Sequence, residues 1–274
     1  MSGVRAELLV TRKRASTWIL LAIWASLALV FAYVVPYVTY LNGSAPESLA
    51  DVLPERLVTS LMSGVPFFGG VLALMLGVLA VGSEYGWGTL KTLFSQRPGR
   101  LQVFAAKLLA LAATVAVFVL VVFALGALAA YAIALREGAE VAWPSASLLV
   151  RGLAAGWLIL AVWAALGVLL AVLFRGTALA VGIGILYAFV IEGLVSALAT
   201  QVSAVDGLVE FFVRANGYSL VVALGVPSDD FSDRGPGSFS GPFVSGEQAL
   251  LVLISYLVVA TVVSAWLLRR RDVT

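Results

Sequence analysis

The chain has 274 residues, of which 62% are hydrophobic and only 12% are charged, with a formal net charge of +2. A soluble domain of this length would not be so poor in charge, so the composition indicates an integral membrane protein. The chain contains no cysteine and no histidine, which excludes disulfides, thiolate nucleophiles and the usual zinc ligands and general bases.

The basic residues lie beside apolar stretches, starting with residues 2–14. That segment combines four basic residues with the apolar run from Leu8 to Val10. The pattern is typical of a short amphipathic helix on the cytoplasmic surface of a membrane. We therefore interpret the excess of positive charge as a topology signal and a contact for anionic lipids, and we expect no nucleic-acid partner.

Six apolar stretches follow, and each is long enough to cross a bilayer as a helix. The pattern predicts an all-α membrane protein in which one transmembrane domain covers residues 1–274. The predicted spans lie at about residues 17–40, 61–82, 104–135, 148–174, 178–199 and 247–268.

The distribution of basic residues predicts the topology. With both termini in the cytoplasm, about 12 of the 17 lysines and arginines fall on the cytoplasmic side. The acidic residues are skewed towards the other side, as the positive-inside tendency allows. Six spans with cytoplasmic N and C termini fit this distribution.

The longest connection, residues 201–246, is not uniform. Residues 208–226 are apolar enough to enter the membrane, but they include Glu210, Arg214 and Asn216. A seventh crossing there would also place the C-terminal arginine cluster outside. We therefore predict a helical segment before span 6 that re-enters the membrane and returns, or lies at the outer surface.

The longest basic interruption is residues 83–107, SEYGWGTLKTLFSQRPGRLQVFAAK. Glu84 stands where a helix would begin, and Lys91, Arg97 and Arg100 fall towards its end, which is the charge order that a helix dipole favours. Apolar residues recur every three or four positions between them, and a Pro-Gly pair follows. The pattern predicts an amphipathic surface helix that presents a polar face to a cytoplasmic partner. A basic anchoring loop without a partner explains the composition equally well.

The sequence contains no catalytic motif: there is no phosphate-binding G-x-x-x-x-G-K-[ST] loop, no H-E-x-x-H and no serine beside a plausible base. We therefore expect a chain that is not an enzyme. If the protein uses ATP, another chain must supply the nucleotide site.

One charged residue, Glu192, lies well within a predicted span, roughly 20 Å from the inner end of the fifth helix at 1.5 Å per residue. A carboxylate near the bilayer centre costs about 2.5 to 3.5 kcal/mol, so it should face a cavity, a partner or water. Glu192 is a candidate for a substrate path or gate. The alternatives are a structural pair with an outer arginine such as Arg151 or Arg214, or exposure at the outer mouth.

Several features together resemble the permease subunits of type-2 ABC exporters. They are the surface helix, the six spans, E-Y-x-x-G-T-L-K-x-L beginning at Glu84, R-P-G-R beginning at Arg97, and Lys107 at the start of the third span. In that family the loop between spans 2 and 3 is a coupling helix that docks on a separate ATPase. Short re-entrant helices lie at the outer mouth, and two permeases pair through their first and fifth spans.

The resemblance covers essentially the whole chain and implies an efflux permease of the bacterial cytoplasmic membrane. ATP and Mg²⁺ would be bound by an ATPase dimer, with no cofactor in this chain, and the second permease would be identical or related. Drugs, peptide antibiotics, lipids and sodium are all compatible substrates. The implied ATPase-coupling residues are Glu84, Gly88, Thr89, Lys91, Arg97, Pro98, Arg100 and Lys107. Outside this resemblance, the alternative is a membrane scaffold or sensory subunit that binds a cytoplasmic partner without transport.

Overall fold

The computed structural model describes residues 2–86, 99–199, 206–231, 239 and 242–270, and all regular structure within them is helical. Six of these helices are long and apolar enough to cross a membrane, which confirms the predicted all-α fold with six spans. In chain order, spans 1 to 6 are Ala15–Leu41, Val65–Gly86, Arg100–Glu137, Ala146–Phe174, Ala178–Leu198 and Gly246–Arg270.

Because the number of spans is even, the start of span 1 and the end of span 6 lie at the same end of the bundle. We call this the terminal end and the opposite one the distal end. The assignment of the terminal end to the cytoplasm stays a prediction from the charge distribution.

The helix Ser2–Lys13, which we call the N-terminal helix, precedes span 1 at the predicted position. Arg14 separates the two with an extended backbone (φ −76°, ψ 122°). The half-buried residues Val4, Glu7 and Thr11 follow one another at spacings of three and four, whereas residues 8–10 are exposed. The face towards the bundle is therefore mixed in polarity, and the short apolar run points away from it.

Spans 1, 2 and 5 each contain a π-helical segment, at Val30–Val34, Val65–Gly69 and Leu186–Ile191. Aromatic contacts join all three. The rings of Phe31 and Phe68 stack at 5.5 Å, and those of Phe67 and Phe189 meet edge to face at 4.8 Å. Proline accompanies the first two segments, and its missing N–H interrupts the regular helical ladder.

Spans 2 and 4 form the tightest contact between helices. A Cβ atom added to Gly77 would overlap the carbonyl oxygen of Ala164, and one added to Gly167 would overlap that of Leu74. Small residues at such crossings allow two backbones to approach in a membrane, where packing drives association. Span 2, which leads into the loop at residues 87–98, is therefore held directly against span 4.

The distal end carries short helices. Ser48–Asp51, Pro54–Arg56 and Leu57–Met62 lie between spans 1 and 2. Asp206–Val209 and Val213–Val222 lie between spans 5 and 6. We call Val213–Val222 the distal helix. At ten residues it rises only about 15 Å, which is too short to cross a bilayer.

Candidate functional site

Four charged side chains meet at the terminal end of the bundle, and we call Glu7, Arg14, Glu84 and Lys107 the terminal-end cluster. The Nζ of Lys107 donates hydrogen bonds to Glu84 Oε1 at 2.5 Å and to Glu7 Oε2 at 2.8 Å. The Nη2 of Arg14 lies 3.8 Å from Glu84 Oε1. One lysine therefore holds two carboxylates, and an arginine supports one of them.

The four residues come from three different parts of the chain. Glu84 lies in the last turn of span 2, and Lys107 lies two turns into span 3. Glu7 belongs to the N-terminal helix, and Arg14 is the extended residue that follows it. The cluster thus joins the helix ends on both sides of the loop at residues 87–98 and fastens the N-terminal helix to them.

Burial makes these ionic contacts important for the stability of the protein. Only 5% of Glu84 and 6% of Lys107 are exposed. Charges removed from water are costly unless they are paired and hydrogen-bonded, so each side chain depends on its partners. Arg14 is fixed further, because its Nη1 donates a 2.9 Å hydrogen bond to the carbonyl oxygen of Leu79 in span 2.

The structure brings together some of the residues predicted for ATPase coupling. Glu84 and Lys107 are in contact, and Arg100 is the first residue of span 3, directly after the N-cap Gly99. The others, Gly88, Thr89, Lys91, Arg97 and Pro98, lie outside the described residues. Glu7 and Arg14 were not predicted to join this group. The signal for Glu7 was its position as the only acidic residue among four basic ones in residues 2–14.

A second buried charge lies towards the distal end. Glu192 follows directly after the π-helical segment of span 5 and has no exposed surface. Its Oε1 accepts a 3.0 Å hydrogen bond from the backbone N–H of Val213, and its Oε2 accepts one of 3.0 Å from that of Arg214. Both carboxylate oxygens therefore bind the first turn of the distal helix. In this conformation the carboxylate has no free surface with which to contact a substrate.

Polar side chains surround Glu192 on spans 5 and 6. The hydroxyl groups of Tyr187 and Tyr256 interact with each other, and that of Tyr187 interacts with the carboxylate. Ser196, one turn further along span 5, is also buried. Within the part of the chain that the structure describes, no group of three or more acidic residues could hold a metal ion.

The side chain of Arg214 is buried beside the same site. Its Nη1 lies 3.5 Å from the carbonyl oxygen of Ala188, and its Cζ lies 5.5 Å from the ring centre of Phe67 and 5.9 Å from that of Phe239. These distances suit cation–π contacts. Arg151, the other arginine considered as a partner of Glu192, is exposed on span 4.

The family whose model is described as "ABC-2 family transporter protein" matches residues 3–273 of the chain. No curated protein matches the chain. The family match covers all six spans and both charged sites.

Proposed function

Since the chain belongs to the ABC-2 family of transporter proteins, we propose that it forms the translocation path of an exporter driven by a separate ATPase subunit. Family membership and six apolar helices make the chain a multi-pass membrane permease of an ABC transporter. The finer proposal is that the ATPase docks on the loop at residues 87–98 and that its closure tilts the bundle.

The terminal-end cluster is the observation that supports coupling through this loop. Because Glu84 and Lys107 are bonded across the two helix ends, a force on the loop would move spans 2 and 3 as one unit rather than separate them. The glycine contact between Gly77 and Ala164 would then transmit the motion of span 2 to span 4. Packed helices with close backbone contact shift together in this way because packed interfaces resist continuous deformation.

The surfaces of the spans support a second permease in the same complex. In spans 2 and 4, 67% of an 18-residue apolar stretch is buried within this chain, compared with 28% in span 1 and 22% in each of spans 5 and 6. Large apolar residues are exposed on all three of the less buried spans, for example Phe31 on span 1, Phe189 on span 5 and Leu251 on span 6. We propose that a second permease, identical or related, covers part of these faces and that lipid covers the rest.

The remaining parts of the proposal follow from the family. ATP and Mg²⁺ bind to the partner ATPase dimer, and the complex resides in a bacterial cytoplasmic membrane. We propose that the cargo enters from the cytoplasm or the inner leaflet.

Gentle purification with native partners, followed by an ATP hydrolysis assay, tests the proposal. We expect an ATPase to co-purify with the wild type and with Arg5→Glu, which reverses an exposed charge on the N-terminal helix. Arg97→Glu should abolish recovery of the ATPase or uncouple its activity. A stable six-span protein that never retains an ATPase would overturn the proposal and favour a non-transporting scaffold or sensory subunit.

A further inference from the structure

The distal helix lacks a cap from its own sequence. Its N-cap residue is Phe212, which offers no side-chain acceptor for the free N–H groups of the first turn. Glu192 supplies both acceptors from span 5 instead. A carboxylate at this position also complements the positive end of the helix dipole. The start of the distal helix is thus defined by a residue about twenty positions earlier in the chain.

The point of attachment on span 5 is a local irregularity. Glu192 is the first residue after the π-helical segment Leu186–Ile191. Such segments carry an extra residue within one turn and occur often at functional positions. The same segment contains Ala188, whose carbonyl oxygen accepts from Arg214, and Phe189, whose ring packs on Phe67. A change in this segment would therefore displace Glu192 and Arg214 together.

The distal helix is also held along its body. The backbone N–H of Val244, just before span 6, donates a 3.0 Å hydrogen bond to the Oγ of Ser219. The ring of Tyr218 stacks on Phe239 at 5.1 Å. The helix thus bridges span 5 at its start and the approach to span 6 along its body.

From these contacts we infer that Glu192 is a positioning residue that makes the distal helix move with span 5, so that this helix opens and closes the distal mouth of the translocation path. The inference rests on the proposed function, because it assigns the helix a part in the transport cycle. The two hydrogen bonds act as a link rather than as a substrate contact. Motion of span 5 driven from the terminal end reaches the mouth through them.

Glu192→Gln is the sharpest variant for testing this link. A glutamine has one acceptor oxygen, and its amide nitrogen would face a backbone N–H donor, so one of the two hydrogen bonds is lost together with the charge. Glu247→Gln is the matched control, since Glu247 is an exposed carboxylate at the same end of the bundle. Glu192→Asp, with a shorter reach, serves as a second variant should glutamine prevent folding.

Because the chain contains no cysteine, a single introduced thiol can be labelled selectively to follow the distal helix. Leu220→Cys introduces one thiol on the half-buried side of the distal helix. Its rate of reaction with a polar maleimide is measured for the ATPase complex in lipid nanodiscs, without nucleotide and after trapping with ATP and vanadate. When Glu192 is unchanged, with or without the control substitution Glu247→Gln, we expect vanadate trapping to change the maleimide reaction rate by about fivefold or more. This is the lower end of typical couplings between sites.

In Glu192→Gln or Glu192→Asp the rate should no longer respond to nucleotide, although the complex still hydrolyses ATP. Phe212→Ser, added to either Glu192 variant, supplies a local cap for the distal helix. It should restore the thermal stability of the protein but not the response of the reaction rate to nucleotide. If Phe212→Ser restores the nucleotide response of the reaction rate, Glu192 acts only as a cap and the inference is overturned. The inference is also overturned if Glu192→Gln and Glu192→Asp respond to nucleotide like the wild type. If the wild type retains no ATPase, the proposed function and this inference fail together. If the wild type responds and both Glu192 variants respond equally, only the inference fails.

Discussion

Glu7 and Lys107 stand 100 positions apart in the sequence, yet Oε2 of Glu7 lies 2.8 Å from Nζ of Lys107. The same ammonium group binds Glu84 at 2.5 Å. A single cation therefore joins the N-terminal helix, span 2 and span 3 at the point where the loop at residues 87–98 begins and ends. Each of the three segments depends on this lysine.

Replacement of Lys107 by methionine should destabilise the protein strongly. Methionine keeps much of the volume of the side chain but removes the cation closest to two carboxylates, of which Glu84 is 5% exposed. Loss of one partner from a buried ion pair typically costs about 3 to 5 kcal/mol. Thermal unfolding in detergent should show a clear decrease in melting temperature. Lys13→Met, at an exposed position, should melt like the wild type, and equal melting of both variants would contradict the prediction.

Replacement of Glu7 by glutamine should have a local effect. Lys107 would keep its bond to Glu84, so spans 2 and 3 remain joined, while the N-terminal helix loses a charge-assisted contact. Hydrogen bonds to charged groups contribute about 1.5 to 3 kcal/mol. Hydrogen exchange of residues 2–13 should therefore accelerate by about tenfold or more, since 1.4 kcal/mol corresponds to a factor of ten.

The control for this variant is Arg5→Gln, at an exposed position of the same helix, which should leave exchange unchanged. Equal protection of residues 2–13 in Glu7→Gln and the wild type would show that the ion pair does not hold the helix. Faster exchange in spans 2 and 3 as well would show that Glu7 supports the whole cluster.

The spans could be predicted from sequence because long apolar runs leave few alternatives in a membrane. Span 4 was expected at residues 148–174 and lies at Ala146–Phe174. The start of span 2 differs more. It was expected at residue 61 but lies at Val65, because Gly64 and Pro66 separate the short helix Leu57–Met62 from the span although both segments are apolar.

The charged contacts were harder to predict because their partners are distant in sequence or have no sequence signature. For Glu192 the sequence suggested an arginine side chain or an open path. The side chain of Arg214 does lie beside Glu192. Besides the Tyr187 hydroxyl, however, the hydrogen-bond donors that Glu192 meets are the backbone N–H groups of Val213 and Arg214, which every residue type except proline could supply. The π-helical segments leave no mark either, since an extra residue in a turn does not change an apolar run.

The contact between spans 2 and 4 can be tested at Gly77. A methyl group there would overlap the backbone of Ala164, which cannot move without shifting span 4. Overpacking of a tight contact costs typically about 1 to 3 kcal/mol, so Gly77→Ala should lower the melting temperature. Gly182→Ala is the control, because a Cβ atom at Gly182 would meet nothing within 4 Å. Its melting temperature should equal or slightly exceed that of the wild type, since alanine favours helix. Equal stability of both variants would rule out a close crossing at Gly77.

The attachment of the distal helix to the approach to span 6 can be tested at Ser219, which is 1% exposed. Its Oγ accepts a hydrogen bond from the N–H of Val244 and donates one to the carbonyl oxygen of Ala215. In Ser219→Ala the Val244 N–H loses this acceptor, at a cost of about 1 kcal/mol. Hydrogen exchange at Val244 should accelerate by about fivefold as a result.

Ser255→Ala provides the matched control for this last variant. The Oγ of Ser255 bonds only to Leu251 within its own helix among the described residues, and the side chain is exposed. Its removal should therefore leave Val244 exchange unchanged. If Ser219→Ala also leaves the exchange unchanged, the serine does not hold the two segments together. The distal helix would then be attached through Glu192, the side chain of Arg214 and its packing contacts, and Glu192 would bear more of the displacement when span 5 moves.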